Sequence, residues 1–162
     1  MNPDARAMST EAARPSPMAA AMAQARAAAA RGEVPVGAVI TDPQGRIVAE
    51  AGNRTRELSD PTAHAEILAL RAACAAAGSE RLPGHSLWVT LEPCPMCAAA
   101  IAAARIRRLY YGAPDPKSGG VAQGPRVFSH PQCHHVPEVY DGLQETEAAE
   151  LLREFFAGLR NP

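Results

Sequence analysis

Aromatic side chains are scarce in this chain: one Trp, three Tyr and three Phe, 4% of 162 residues. A core short of rings must be filled by smaller groups. Alanine supplies much of the 47% hydrophobic content, which predicts a helix-rich core of small side chains. Lysine occurs once, at Lys117, among 16 basic residues, and 17 acidic residues bring the net charge to −1. A chain without a basic excess does not coat nucleic acid by overall charge, so any such contact has to use a local patch. No run of about twenty apolar residues is present to span a membrane; the alanine-rich stretch 18–30 is broken by Gln24 and Arg26. No strongly apolar segment follows a basic start, so a signal peptide is not expected. Four cysteines without an export signal suggest a reducing cytoplasm, where a close pair is a metal or catalytic candidate rather than a disulfide.

What is present divides into a leader, 1–16, without periodicity, and a single domain, 17–160. "PMAAAMAQARAAAARGE" predicts a helix from Pro17 that ends at Gly32. "VPVGAVI" and "RIVAEAG", joined by "TDPQG", predict a β-hairpin. A polar loop, "NRTRELSD", leads to a helix expected from Thr62, as its cap, to Ala77, with Ala63, Ile67, Leu70 and Cys74 on its apolar face. "HSLWVTL" reads as a strand, "CPMCAAAIAAAR" as a helix and "IRRLYYG" as a strand. A Gly/Pro-rich loop, 113–135, a short fifth strand in "VPEVYDG" and a closing amphipathic helix complete the chain. Strands that alternate with helices predict an α/β fold, its sheet parallel in the middle and covered on both faces.

Two short segments carry chemistry. His64 and Glu66 lie in the first turn of the Thr62 helix. Alone they fit a hydrogen-bonded histidine and an acid that suits the helix dipole. Cys94 and Cys97 form a C-x-x-C pair where a strand meets a helix, a place that favours thiolates. Alone that pair fits a redox site, half of a structural zinc site or a catalytic metal. Together, His64-Ala65-Glu66 and Pro93-Cys94-x-x-Cys97 match the H-x-E…P-C-x-x-C pattern of zinc-dependent nucleobase deaminases. Catalytic zinc takes three protein ligands and keeps one position open. His64, Cys94 and Cys97 are the expected three, with one Zn2+ per chain. Glu66 is then the proton carrier. Residues two apart on a helix point to nearly opposite sides, so His64 and Glu66 converge only if the metal lies beyond the helix end. Cys74 reads as core packing and His85 as structural. "HPQCHH", with His130, Cys133, His134 and His135, lacks familiar ligand spacing and reads as polar loop or substrate contact.

"EVPVGAVI", "GNRTRELSDPTAHAEILALR", "LWVTLEPCPMC" and "YYGAPDPKSGG" resemble the bacterial tRNA-specific adenosine deaminases of the cytidine deaminase-like superfamily. The resemblance implies a three-layer α/β/α sandwich with a five-stranded mixed sheet, a cytoplasmic homodimer, and conversion of adenosine to inosine at the wobble position of a tRNA anticodon loop. It implies that Asn53 contacts the flipped base and that Val34, Pro35 and Ala65 help form the pocket. It places Asp115 and Lys117 along the RNA, with Phe156 and Arg160 on the flanking closing helix. The segment "QGPRVFSHPQCHH" departs from the "GSLM" and apolar run that many members have after the D-x-K loop. The alternative is a deaminase of a free base or nucleoside of guanine or cytosine type. The reading from another class is a non-catalytic partner or a structural zinc module: Glu66 speaks against the first, and the second needs a fourth protein ligand, for which only Cys74, Cys133 or a loop histidine is available.

Overall fold

The computed structural model describes residues 15–160, so the expected leader lies outside them except for Pro15 and Ser16. Helix α1, Pro17–Ala30, starts where Ser16 accepts the Ala19 N–H and proline fills the first turn. Strands β1, Gly37–Thr41, and β2, Ile47–Gly52, form the hairpin, whose turn is held by Asp42 Oδ1 accepting the N–H groups of Gln44 and Arg46. The first strand begins three residues later than its apolar run. Pro35 has no N–H to give a ladder, and Val36 N–H turns back to the Val34 carbonyl instead.

Helix α2, Ala65–Ala77, also starts later than expected. Thr62 is not its cap: its hydroxyl and its N–H both donate to Asp60 Oδ1. His64 takes the N-cap position in extended backbone, with no side-chain capping bond. The buried face of α2 is Ala65, Glu66, Ala69, Leu70 and Ala73. Of the expected stripe, Ala63 is buried ahead of the helix, while Ile67 and Cys74 are half-buried on its flank. Alanines let the helix sit close on the sheet, and the larger side chains are displaced to the side. Strand β3, Ser86–Leu91, helix α3, Pro95–Ala103, strand β4, Arg108–Ala113, strand β5, Glu138–Tyr140, and helix α4, Glu145–Arg160, follow. One 3-10 turn, Val127–Ser129, interrupts the long loop.

The strand order is β2-β1-β3-β4-β5. β1 runs antiparallel to β2 and β3, while β3, β4 and β5 are mutually parallel, so the sheet is mixed as expected. Alternate residues face opposite layers. Ala38, Ile40, Leu87, Val89, Leu109 and Tyr111 pack under α2 and α3. Val39, Trp88 and Tyr110 face α1, and Met22, Ala113 and Ala148 join α1 to α4. The small-residue core has a direct consequence at the hairpin. Gly37 and Gly52 are register partners, and a Cβ on Gly37 would sit 1.9 Å from the Ala21 carbonyl oxygen of α1. Helix and strand touch backbone to backbone there, which only glycine permits. β3 and β4 end in register at Leu91 and Ala113, and residues just past both come together with the start of α2.

Candidate active site

Helices α2 and α3 each begin one residue after a side chain of metal-ligand type. His64 and Cys94 both occupy N-cap positions in extended backbone, and neither side chain bonds to its own helix. Each is therefore directed off a helix end rather than around its barrel. Cys97, buried in the first turn of α3, turns to the same point. His64 Nδ1 lies 3.6 Å from Cys94 Sγ and 3.5 Å from Cys97 Sγ. All three donor atoms fall within 4.8 Å of one another.

These distances test whether zinc fits. With Zn–S of about 2.3 Å and Zn–N of about 2.0 Å, a tetrahedral angle separates nitrogen from sulfur by about 3.5 Å. The triad has that spacing. Its proton affinities point the same way. The Cys97 thiol bonds to the Cys94 sulfur, and with help from His64 this lowers the Cys94 thiol to about 4. The same bond, with burial and the nearby Glu66 carboxyl, raises the Cys97 thiol. The bond to Cys94 also raises His64.

Glu66, one residue into α2, is 4% exposed. Burial raises its carboxyl above the ordinary value, although its own N–H, His64 and the Cys97 thiol pull the other way. It lines a pocket of about 210 Å3 together with His64 and Cys94. The pocket is smaller than the roughly 300 Å3 or more of drug-sized sites. Val34, Val36 and Leu91 give it apolar walls, and Asn53, Thr55, Asp115 and Ser118 give it polar ones.

Asn53 is fixed by the backbone around it. Its Oδ1 accepts the Ala65 N–H at 2.8 Å, its carbonyl accepts from Arg31 at 3.2 Å, and its N–H donates to Val36. Asn53 thus caps α2 from another segment, and this orients its Nδ2 group. Of the other residues expected at the substrate, Val34 and Asp115 line the pocket. Pro35 and Ala65 are buried beside it. Lys117 is exposed, with its N–H on Asp115 Oδ1. Phe156 and Arg160 are exposed on α4, which packs on the opposite face of the sheet from α2 and contributes nothing to the pocket wall.

Two buried acids escaped sequence reasoning. Glu33 and Glu92 are each 2% exposed. Glu33 accepts the N–H groups of Arg56 and Glu57 and the Thr55 hydroxyl. Glu92, which lines the pocket, accepts four backbone N–H groups from 115–123. The only local signal is an acid at each edge of an apolar run, in "GEVPV" and "TLEPC", and such an acid reads as solvent-facing.

The second cysteine–histidine group does not assemble. Cys133 Sγ donates to the His135 carbonyl, and His135 Nε2 bonds to the Ile106 carbonyl at 2.7 Å. His130, Cys133 and His134 line a larger groove of about 520 Å3 beside α3, with Ala99, Ala102 and Arg105. Among the described residues the only cluster spaced for a metal is His64, Cys94 and Cys97. His85 Nδ1 bonds to the Pro83 carbonyl in a turn.

Known proteins resemble the whole arrangement. Residues 14–113 match the family profile described as the cytidine and deoxycytidylate deaminase zinc-binding region. A tRNA-specific adenosine deaminase of Agrobacterium fabrum is 63% identical over 139 residues, 86% of this chain and 91% of that protein. A solved chain from work on A-to-I editing by tRNA:A34 deaminases at the wobble position of transfer RNA superposes with a TM-score of 0.83 at 62% identity, covering 86% of this chain and all of that one. A guanine deaminase from Nitrosomonas europaea superposes with a TM-score of 0.76 at 26% identity, covering 90% and 86%.

Proposed function

The chain belongs to the zinc-binding family of cytidine and deoxycytidylate deaminases, and we propose that within it the protein acts on tRNA, converting adenosine to inosine at the wobble position. It is a zinc-dependent hydrolytic deaminase. The single observation that carries the reaction is the donor triad facing a one-base pocket that also holds a buried carboxyl. The substrate reading is supported by the 63% identity to a tRNA-specific relative, against 26% to a guanine deaminase.

His64, Cys94 and Cys97 would hold the zinc. When bound, zinc supplies the Lewis acidity that makes water a nucleophile near neutral pH. The remaining steps belong to Glu66. Its carboxylate takes a proton from the attacking water and gives it to ring N1 as oxygen adds at C6. It then takes the remaining proton from the new C6 hydroxyl and passes it to the 6-amino nitrogen, so that the C6–N bond breaks, ammonia leaves and the C6 carbonyl forms. Burial favours the protonated carboxyl, so the group can hold a proton between the two transfers. Asn53 offers its Nδ2 group to the base. The apolar walls at Val34 and Val36 exclude water beside the ring. A base reaches this depth only after it leaves its stack, which suits an anticodon loop.

Lys117 and Arg160 contact phosphates in this reading, and Asp115 and Phe156 lie along the strand. The protein is a homodimer whose apolar groove between α2 and α3, lined by Ile67, Leu70, Cys74, Ala100 and Ala103, supports burial against a second copy. It works in the cytoplasm, where its substrate and four free cysteines are at home; among the described residues no helix is long and apolar enough to cross a membrane. The test is incubation of zinc-loaded protein with total tRNA and with free guanine and cytosine, followed by mass analysis of the nucleosides. Inosine in tRNA is the expected product. Xanthine or uracil from free bases, with tRNA unchanged, would replace this reading with the small-molecule one.

A further inference from the structure

The described residues hold a carboxylate whose use the reaction leaves unexplained. Glu92 directly follows β3 and leads into Pro93 and Cys94, and it is 2% exposed. Oε1 accepts the Asp115 N–H at 3.1 Å. Oε2 accepts the N–H groups of Val121, Ala122 and Gln123 at 3.2, 3.1 and 3.1 Å. Three N–H groups crowd Oε2 and one reaches Oε1, so the carboxylate is turned onto the loop backbone, and no salt bridge reaches it among the described residues.

The gathered loop is shaped to close on Glu92. A Cβ on Gly119 would lie 2.5 Å from Glu92 Oε2, and one on Gly120 would lie 2.5 Å from the Pro95 nitrogen. Gly120 N–H bonds to the Pro93 carbonyl, so loop and ligand segment are tied at two adjacent points. Asp115 passes the constraint onward: its Oδ1 accepts the N–H groups of Lys117 and Ser118, and its carbonyl accepts from Gly119. Asp115 and Ser118 form one polar wall of the pocket.

We infer that Glu92 is a positioning residue for the substrate, holding Asp115 and Ser118 at the pocket by gathering the 115–123 backbone. It acts on the base and its flanking strand through those residues, not on the reacting atoms. This rests on the tRNA reading of the same pocket. Glutamine at this position keeps the shape but has one acceptor oxygen. The amide leaves fewest groups unpaired when that oxygen faces Val121, Ala122 and Gln123, and its NH2 then opposes the Asp115 N–H. Glu92→Gln therefore releases the link to the pocket wall first.

The experiment compares wild type, Glu92→Gln and Gly119→Ala as zinc-loaded full-length protein. Zinc content, amide hydrogen exchange over 115–123, and kcat and KM on an anticodon stem-loop are measured. Both variants should keep full zinc. The loop amides should exchange at least about tenfold faster, and KM should rise about tenfold with kcat within about threefold, the pattern of lost binding rather than lost chemistry. Gly119→Ala reaches the same result with the carboxylate intact, which separates loop position from any other property of Glu92. Unchanged exchange and KM in both variants would overturn the inference. So would loss of zinc with a fall in kcat, since Glu92 would then support the metal corner. A wild type inactive on the stem-loop would overturn the tRNA reading instead, and the exchange comparison would still decide whether Glu92 holds the loop.

Discussion

The floor of the pocket and its walls are both built with buried glutamates, and they use them in opposite ways. On the floor, Glu66 faces the His64, Cys94 and Cys97 donors. Few N–H groups reach it, so burial dominates and raises its carboxyl. In the wall beside Thr55, burial would likewise raise Glu33, but the N–H groups of Glu57 and Arg56 and the Thr55 hydroxyl outweigh it and lower the group. Both carboxyls are shielded from solvent, but Glu66 sits deeper among protein atoms and Glu33 accepts more hydrogen bonds, and both differences separate their proton affinities. The floor keeps its polar valence for a metal and a substrate, whereas the walls spend theirs on the backbone. Chemistry and shape are separate tasks here, and substitutions should separate them.

The largest effect is expected on the floor. Cys97→Ala removes one of three donors from a buried site, so most of the zinc should be lost and activity with it. Elemental analysis checks this, and a full zinc complement in the variant would remove Cys97 from the ligand set. Glu66→Gln comes next. It keeps shape and zinc but cannot carry a proton, so turnover should fall at least about a hundredfold. Near-normal single-turnover rates would move the proton relay elsewhere.

Asn53 bridges floor and wall, so its variants should divide the comparison. Asn53→Ala leaves the Ala65 N–H of α2 without its partner and should destabilise the fold by about 1–2 kcal/mol. Asn53→Asp retains an acceptor for that N–H but lacks the Nδ2 donor. Thermal unfolding should therefore recover in the aspartate variant while KM stays raised. Equal recovery of both would show that Asn53 serves the helix alone.

The smallest effect should come from Glu33. Its folded proton affinity is depressed, so its contribution to stability is present above the ordinary value of 4.5 and is lost as pH falls through the folded value. Glu33→Gln should lower stability at neutral pH, and the gap to wild type should close in acid below that range. A gap that widens in acid would reverse the assigned sign.

The same contrast explains what was legible in the sequence. His64, Glu66, Cys94 and Cys97 stand in two short segments, each at a helix start, and local spacing reveals them. The hairpin and the parallel strands, and so the mixed sheet, follow from alternating elements and short connections, whereas the order β2-β1-β3-β4-β5 is visible only in the structure. The walls are held by non-local bonds. Glu92 reaches partners 23 to 31 residues onward, and Glu33 reaches partners 22 to 24 residues onward. No periodicity marks such a bond, and an acid beside an apolar run reads as solvent-facing. The start of α2 was misplaced for a related reason: Asp60 had claimed the Thr62 hydroxyl, and Asn53, twelve residues back, supplied the cap. The apolar flank at Ile67 and Cys74 resembled a core stripe because sequence cannot tell the sheet side of a helix from a groove left for another surface.

The most direct test of the account gives zinc-loaded protein three substrates side by side: an anticodon stem-loop with adenosine at the wobble position, the same sequence locked in a duplex, and free guanine. Products are resolved by mass and, for the RNAs, by position. The account predicts inosine at the wobble position of the stem-loop, none in the duplex, where the base cannot leave its stack, and no appreciable xanthine. Efficient xanthine formation with an untouched stem-loop would contradict it.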